Sequence, residues 1–265
     1  RIHSPNISKK IHSRGATMRY LTCLCLTLSL VACGQSETPK AKSVTPKPTV
    51  ITTQTLPPLV STIEKSKTIK PKCKGHDCPN IEIEIDRFND DKELSALIER
   101  ELVNMTASLS DDKKVYANLT ELTNDFWQKS QSQWNIFLHS KILHQKNNII
   151  VLELGNETYL GGAHEIGNTK YLNVDRKTHQ VIPLTQLFIA GKEAAFWAKI
   201  QAQHQLWIKD NELNDEHSIA TWPFIHTDNI ALTDKGLTVK YQNYDLAPYA
   251  FGQLEFRVPY EQLNG

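Results

Sequence analysis

Short runs in which apolar and polar residues alternate recur from about residue 80 onward, and they constrain the fold more than any other feature of the chain. The clearest is Ile81-Glu-Ile-Glu-Ile85, whose period of two predicts a strand with one buried face. Hairpins are expected where two runs flank turn residues, as in Trp134–His144 with Ile149–Leu154 and in Tyr171–Asp175 with His179–Ile182. Shorter strands are expected near Phe224–Ile225, Ile230–Leu232, Leu237–Tyr241 and Leu254–Val258.

Three segments between these strands have helical patterns. Asp90 or Asp91 can cap a helix with an apolar stripe over Leu94–Leu102. Residues 119–129 and 194–208 predict two more helices. Strands joined by tight turns, with helices between them, predict an α+β fold, in which an antiparallel sheet of hairpin-connected strands has two to three helices packed on one face.

The N-terminal part of the chain has the features of a secretory signal. Residues 1–32 carry five basic side chains and no acidic one, and they end in the twelve-residue apolar run Leu21–Ala32. Such a run is too short for a bilayer-spanning helix, which needs about 20 residues, but it suits a signal peptide. We expect translation to start at Met18, with an upstream extension before it. The ending Leu30-Val-Ala-Cys33-Gly resembles a bacterial lipobox and predicts that Cys33 is acylated, with palmitate among the chains; an ordinary cleavable signal is the alternative.

The segment after the signal differs sharply from the rest of the chain. Residues 34–72 contain six of the twelve Pro residues, with Thr, Ser and Lys between them. Such a composition cannot bury a core, so residues 33–72 are expected to form a lipidated, disordered tether. The folded part is then expected to comprise an N-terminal α+β segment over residues 73–154 and a C-terminal domain over residues 155–265.

Cys73 and Cys78 are the cysteines that remain once the signal is removed and Cys33 carries lipid. In an oxidising envelope, two cysteines this close in sequence predict a local disulfide. A zinc site with His76 as a third ligand is the sharper alternative, but structural zinc sites use closer cysteine pairs and a second ligand pair, which does not follow here. Free thiols are the remaining alternative. No metal and no cofactor is expected.

The formal net charge of +1 is a cancellation between unlike parts of the chain. Residues 34–72 carry a net charge of +5, whereas residues 73–265 carry 18 basic and 27 acidic side chains, a net charge of −9. An acidic domain attracts cationic partners and accelerates their encounter. The same balance, together with the lack of basic aromatic stripes, argues against nucleic acid as a partner.

The standard catalytic strings are missing from the mature chain. There is no Gly-x-Ser-x-Gly, no Gly-rich phosphate loop and no His-Glu-x-x-His, since His164-Glu165-Ile-Gly-Asn168 lacks the second His. Solvated faces are expected for the paired carboxylates Glu82/Glu84, Asp111/Asp112 and Asp215/Glu216. A role other than catalysis is therefore favoured.

The most unusual local string is Tyr159-Leu-Gly161-Gly162-Ala-His164-Glu165. Adjacent glycines after a strand predict positive φ angles or a close backbone approach. The string is expected to be a recognition loop that presents its Tyr and His side chains, or else a tight turn whose His caps backbone groups.

A second unusual string runs from Tyr241 to Gly252 and contains Tyr244, Pro248 and Tyr249. Three Tyr residues around a Pro turn can anchor a partner, because Tyr offers a large contact area at a low entropy cost. Sealing the edge of the sheet is the alternative role.

These strings belong to an ordered set of motifs: Tyr159-x-Gly161-Gly-Ala-His164, Tyr171-Leu-Asn-Val-Asp175, Leu184-x-x-Leu187-Phe188, Leu232-Thr-x-x-Gly236-Leu and Tyr244-x-x-Ala247-Pro-Tyr249-Ala-x-Gly252. Over about residues 155–263, the set resembles the domain of unknown function in the ectodomain of RsiV-type proteins, which are anti-sigma factors whose extracellular part binds lysozyme. Residues 80–154 resemble the preceding α+β segment more loosely. Similar domains occur in bacterial lipoproteins and beside a peptidoglycan deacetylase domain. The resemblance implies a binding surface at His164 with its glycine pair and at the Tyr244–Gly252 loop.

The expected function is that of an envelope lipoprotein that binds a cationic protein, either lysozyme or another peptidoglycan-active enzyme, for sensing or inhibition. Outer-membrane anchoring that faces the periplasm is expected, because Gly34 rather than Asp follows the lipidated Cys. One alternative is an enzyme or accessory that acts on peptidoglycan, with His164 as a base that Glu165 or Asp175 orients. The other is a structural or assembly lipoprotein. The sequence shows no sigma-binding segment and no deacetylase domain, so neither of those activities is expected.

Overall fold

The computed structural model describes residues 56–106, 114–189 and 191–263. The expected signal peptide, Cys33 and most of the expected tether lie outside the described residues. Within the described ranges, no helix combines the length and the apolar character that crossing a membrane requires.

Six strands form the first sheet, in the order in which they occur along the chain. They are β1 (Thr62–Ile69), β2 (Asn80–Arg87), β3 (Asn135–Lys146), β4 (Ile149–Tyr159), β5 (Ile166–Asp175) and β6 (Gln180–Val181). The boundary expected between residues 154 and 155 falls inside β4. The N-terminal and C-terminal segments therefore share this sheet.

Neighbouring strands of the first sheet are antiparallel except for β2 and β3, which run parallel. Between them the chain forms α1 (Lys92–Met105) and α2 (Leu119–Lys129). A parallel pair needs a crossover of this kind, because a tight turn reverses the chain. The predicted α+β class is confirmed, while the sheet is mixed rather than wholly antiparallel.

Side-chain caps begin both helices, and the cap of α1 is one of the two that the sequence predicts. The Asp91 carboxylate accepts a hydrogen bond from the Leu94 N–H at 3.0 Å, and the Asn118 side-chain oxygen accepts one from the Glu121 N–H at 3.0 Å. Each bond satisfies an N–H group of the first turn that has no intrahelical partner. Asp91 is therefore the cap of α1, and α2 has the bounds that the sequence predicts.

β1 lies inside the segment expected to be a tether, and that expectation is corrected, because the folded part begins no later than Thr62. All eight residues of β1 are exposed, so no apolar face marks it in the sequence. Its backbone pairs with β2, and Lys65 and Lys67 contact Glu84 and Glu82 at 2.8 and 3.1 Å. Exposed pairs of this kind contribute at most about 1 kcal/mol each, so the backbone ladder is the main cause of the pairing.

The C-terminal part of the chain adds a three-stranded antiparallel sheet of β7 (Ile230–Thr233), β8 (Gly236–Lys240) and β9 (Glu255–Val258). It follows α3 (Leu184–Leu187), α4 (Glu193–Asp210) and α5 (Glu216–Thr221). The strand expected near Phe224–Ile225 is wrong, since these residues are irregular. The Ile225 carbonyl instead accepts a hydrogen bond from the Tyr241 hydroxyl at 2.9 Å.

Each sheet has its own core. One face of the first sheet packs against α1 and α2 through aliphatic side chains that include Leu94, Ile98, Leu138, Ile150 and Leu152. The second sheet packs against α4 through a core with many aromatic rings, including Phe196, Trp197, Tyr241 and Phe256. A small cluster of Val151, Tyr171 and Ala231 joins the other face of the first sheet to the second.

Three amide side chains join the two sheets, and we call Asn173, Asn229 and Gln242 the amide seam. Asn229 accepts from the Tyr171 N–H at 2.6 Å and donates to the Thr169 carbonyl at 2.9 Å, while Gln242 bonds both backbone groups of Thr169. Asn173 makes a matching pair of bonds, of 2.7 and 2.8 Å, to the backbone of β7. Asn229 and Gln242 thereby pair edge groups of β5, and Asn173 pairs edge groups of β7, that no neighbouring strand reaches.

Candidate functional site

The glycine string forms the connection between β4 and β5, which we call the 160–165 loop. Gly161 and Gly162 have φ angles of +88° and +105°, so the predicted positive φ angles are confirmed. The hydroxyl of Tyr159, at the end of β4, donates to the Gly162 carbonyl at 3.1 Å. This bond closes the first half of the loop, and the chain continues to His164 and Glu165, which are exposed.

The tyrosine string forms the connection between β8 and β9, which we call the 241–254 loop. Buried side chains anchor it, because Tyr241 and Leu246 are 0% and 1% exposed. Between these anchors the Gln242 N–H donates to the Asp245 carboxylate at 2.7 Å. Burial raises the pKa of this carboxyl group, and the bond from Gln242 opposes the rise. The resulting turn holds Tyr244 at a φ of +70° with 53% of the residue exposed.

Pro248 precedes a 3₁₀ turn over Tyr249–Phe251, and its carbonyl accepts a hydrogen bond from the Phe251 N–H at 3.0 Å. A proline is suited to this position because its fixed φ angle matches the start of a helical turn. The turn determines where the Tyr249 ring lies.

The two loops, 80 residues apart in sequence, meet at His164. Its imidazole stacks on the Tyr249 ring, with centroids 3.8 Å apart and planes inclined by 20°. The Tyr249 hydroxyl and His164 Nδ1 lie 3.0 and 2.8 Å from the Glu165 carbonyl oxygen. A carbonyl only accepts, so this arrangement places the imidazole proton on Nδ1. Nε2 is then the acceptor for the Tyr244 hydroxyl, 3.4 Å away.

Trp222, at the C-terminal end of α5, extends this stack. Its ring lies 6.3 Å from the Tyr244 ring with an interplanar angle of 24°. We call His164, Trp222, Tyr244 and Tyr249 the aromatic patch. The sequence analysis missed Trp222, because a single Trp after a short helix has no local pattern that distinguishes it from a core residue.

The structure separates the carboxylates that were expected to orient His164. Asp175 lies at the far end of β5, where its carboxylate accepts bonds from the Asn148 side chain and the Lys177 N–H, both at 2.8 Å. The Glu165 group that holds His164 is its main-chain carbonyl rather than its carboxylate. The expected base-and-orienter pair is therefore not formed.

The predicted disulfide is confirmed, with the Cys73 and Cys78 sulfur atoms 2.11 Å apart in the connection between β1 and β2. His76 lies in the same loop and is exposed. In the described part of the chain, no group of three His, Cys, Asp or Glu side chains is placed to hold a metal ion.

A polar cavity of about 190 Å³ lies beside the aromatic patch. Its lining includes His139 and Glu157 from the first sheet, Glu165 from the 160–165 loop, and Asn243, Tyr249 and Gln253 from the 241–254 loop. The sequence analysis missed His139, Glu157 and Asn243. The sequence does contain one signal for His139, which is the glycine at position 155 inside a strand. A Cβ atom at Gly155 would lie 1.9 Å from His139 Nε2. A glycine inside a strand often marks such a close approach.

Together, the fold and the site define a class of protein: an α+β domain whose two sheets support one exposed aromatic surface. The sequence model of a family described as "Protein of unknown function (DUF3298)" matches residues 185–261. No curated protein matches the chain.

The solved structures that are similar to this chain include two members of this family. A DUF3298 family protein from Pseudomonas aeruginosa PAO1 is 32% identical with a TM-score of 0.69, and the match covers 79% of this chain and 94% of that one. A member of the same family from Bacteroides fragilis NCTC 9343 is 17% identical with a TM-score of 0.55, covering 78% and 92%, and this likeness is one of fold alone. The chain belongs to the DUF3298 family.

Proposed function

We propose that this protein is an envelope lipoprotein, anchored through Cys33, that binds a cationic protein such as lysozyme or another peptidoglycan-active enzyme. The single observation that carries the proposal is the aromatic patch. It is an exposed surface built from two loops that the sequence singles out and the fold brings into contact. The resemblance of both loops to the RsiV-type ectodomain supports the class of partner.

The patch has the composition and rigidity of a binding surface. Tyr and Trp are the residues most enriched among those that dominate binding energy. The Tyr249 ring is held by the stack with His164 and by the hydroxyl bond to Glu165, so it loses little conformational freedom on binding. These contacts favour recognition of a partner over sealing of the sheet edge, because a sealing residue would be covered and Tyr244 is 53% exposed.

Charge supports a cationic partner. Residues 201–265, which supply Trp222, Tyr244 and Tyr249, contain four basic and nine acidic side chains. The field of such an acidic segment steers a positively charged protein toward it and repels an acidic one. The steering weakens with salt, since the Debye length falls from about 30 Å at 0.01 M to about 8 Å at 0.15 M ionic strength.

Hen lysozyme is the probe for this proposal. We expect the purified protein to bind it at low ionic strength in calorimetric titration, and the Kd to rise at least tenfold between about 0.02 and 0.3 M salt. Lysozyme with its lysines acetylated is the matched control and should bind more weakly. Absence of binding at low ionic strength would refute the proposal for this partner.

The contribution of the patch is tested by Tyr249→Ala. Removing a central aromatic anchor costs about 2 kcal/mol of binding free energy, so we expect lysozyme affinity to fall about 30-fold. Tyr260→Ala is the control, because Tyr260 is also partly exposed, at 38%, in the 3₁₀ turn after β9. Equal losses in the two variants would show that the patch is not the binding surface.

A further inference from the structure

The polar cavity is small and lies where three parts of the fold meet: the face of the first sheet, the 160–165 loop and the 241–254 loop. Its volume of about 190 Å³ is below the roughly 300 Å³ at which pockets for drug-sized ligands begin. It is wide enough for one amino-acid side chain. Because Tyr249 belongs both to its wall and to the aromatic patch, a partner on the patch also covers the cavity.

Hydrogen-bond acceptors without strong partners surround the cavity. The side-chain oxygen of Asn243 is buried and has no hydrogen-bond donor. In the described ranges, neither Glu157 nor Glu165 forms an ion pair with a Lys or Arg, and the nearest basic atom to the Glu157 carboxylate is His139 Nε2 at 4.0 Å. An unpaired buried acceptor and two uncompensated carboxylates favour a ligand that brings donors and positive charge.

Two donors in the lining are already engaged within the protein. The Gln253 side-chain N–H group donates to the Gly167 carbonyl at 3.3 Å and to the Gln242 side chain at 3.0 Å. The Tyr249 hydroxyl donates to the Glu165 carbonyl at 3.0 Å. An anionic ligand would therefore meet two carboxylates, while these two donors are occupied.

We propose that this cavity binds the guanidinium group of an arginine side chain that the partner inserts beside the aromatic patch. The inference rests on the proposed function and names the group by which the cationic partner is recognised. Arginine fits better than lysine, because its planar head has five N–H donors and can serve the Glu157 and Glu165 carboxylates, which come from different parts of the wall, at once. Its weaker hydration also lowers the cost of entering a partly enclosed site.

The test begins with small probes. N-acetyl-arginine N-methylamide is titrated into the protein while NMR follows the ring protons of His139, and the neutral citrulline analogue serves as the matched probe. We expect a saturable shift with the arginine compound and at least tenfold weaker binding of the citrulline compound. Equal binding of the two probes, or no shift with either, would overturn the proposal.

Variants assign the site. Glu157→Gln and Glu165→Gln should each weaken arginine binding about tenfold, and the double variant should abolish it, because each removes a charge-assisted hydrogen bond. Both side chains are exposed, so the Glu→Gln variants are expected to fold normally, and circular dichroism checks this. Glu261→Gln is the control, since it removes one exposed carboxylate near the other end of β9 and should leave binding unchanged. Arginine binding that survives the double variant would contradict the assignment.

The same variants separate this inference from the proposed function. If lysozyme binds the double variant as tightly as the wild type, the cavity proposal fails and the proposed function stands. If lysozyme does not bind but the arginine probe does so in a Glu157- and Glu165-dependent way, the cavity proposal stands and lysozyme is not the partner.

Discussion

The two sheets of this protein bury aliphatic and aromatic side chains in different proportions. In the first sheet, most side chains buried on the face toward α1 and α2 are aliphatic, such as Leu138, Leu152 and Leu172, each 0% exposed, with a few rings such as Phe126 among them. In the second, the face toward α4 is rich in aromatic rings, and the rings continue outward, since Trp207 contacts Phe251 edge-on at 5.2 Å. Aliphatic side chains complete a closed scaffold, whereas the aromatic core extends to the surface that holds the candidate site.

The open faces differ as well. On the first sheet, the part of the outer face formed by β1 and β2 carries a ladder of Lys and Glu pairs. On the second, the connecting loop is anchored by Tyr241 and Leu246 and presents Tyr244 and Tyr249. A rigid core directly beneath an exposed ring limits its movement, which is what a binding surface requires. We infer a division of labour, in which the first sheet supplies most of the stability and the C-terminal part of the chain supplies three of the four side chains of the aromatic patch, Trp222, Tyr244 and Tyr249.

The largest expected effect is on the stability of the first sheet. Leu152→Ala removes a fully buried side chain from a central strand, and we expect a loss of about 4 kcal/mol in the free energy of unfolding. Leu237→Ala, on the small second sheet, is the matched variant, and we expect about 2.5 kcal/mol because its surroundings can relax further. Urea titration followed by circular dichroism measures both, and a larger loss for Leu237→Ala would reverse the assigned division.

The amide seam should show the next largest effect. Asn229→Ala leaves the Tyr171 N–H and the carbonyl groups of Thr169 and Lys240 without this partner, and we expect a loss of about 2–3 kcal/mol. We also expect this substitution to accelerate backbone amide hydrogen exchange more in the second sheet than in the first. Asn211→Ala removes one bond to the Trp207 carbonyl and should cost less than 1 kcal/mol. Uniformly faster exchange in both sheets would mean that the seam does not couple separate units.

The smallest expected effect is on the pH dependence of stability, and it arises from one residue in the core of the second sheet. His204 is 1% exposed among Trp207, Phe224 and Phe256, and burial lowers its pKa from the usual value of 6.5. The unfolded chain then binds a proton at a higher pH than the folded chain does. Burial of neutral His204 therefore contributes stability that is fully present above about pH 6.5 and is lost as the pH falls below that value.

His204→Leu should therefore lose less stability than the wild type between pH 7.5 and pH 5, as measured by urea unfolding at each pH. His217→Gln changes an exposed His in α5 and should keep the wild-type dependence. An unchanged pH dependence in His204→Leu would exclude His204 as the responsible group.

Much of the fold could be predicted from local sequence. The α+β class, an Asp cap at position 90 or 91, the bounds of α2 and the Cys73–Cys78 disulfide all follow from short-range patterns, and the structure confirms them, with Asp91 as the cap. β1 could not be predicted, because an edge strand with eight exposed residues has no apolar period. The strand expected near Phe224–Ile225 failed for the opposite reason, since two apolar residues fit a strand or an irregular segment equally well.

The candidate site likewise contains some residues that the sequence could predict and others that it could not. The sequence marks both loops, because paired glycines and clustered Tyr residues are unusual at any position. It does not mark Trp222, His139 or Glu157, whose contribution depends on neighbours far along the chain.

By itself, the sequence determined most of the strands and the three longer helices, which cysteines pair, and which two loops are exceptional, since these depend on residues within a few positions of one another. Tertiary structure alone decided that the imidazole of His164 stacks on Tyr249, 85 positions later, and that His139 and Glu157 face the same cavity. The physical reason is that the second sheet docks on the first through side-chain amides and a small cluster rather than a continuous ladder. No period or spacing in the sequence encodes that placement.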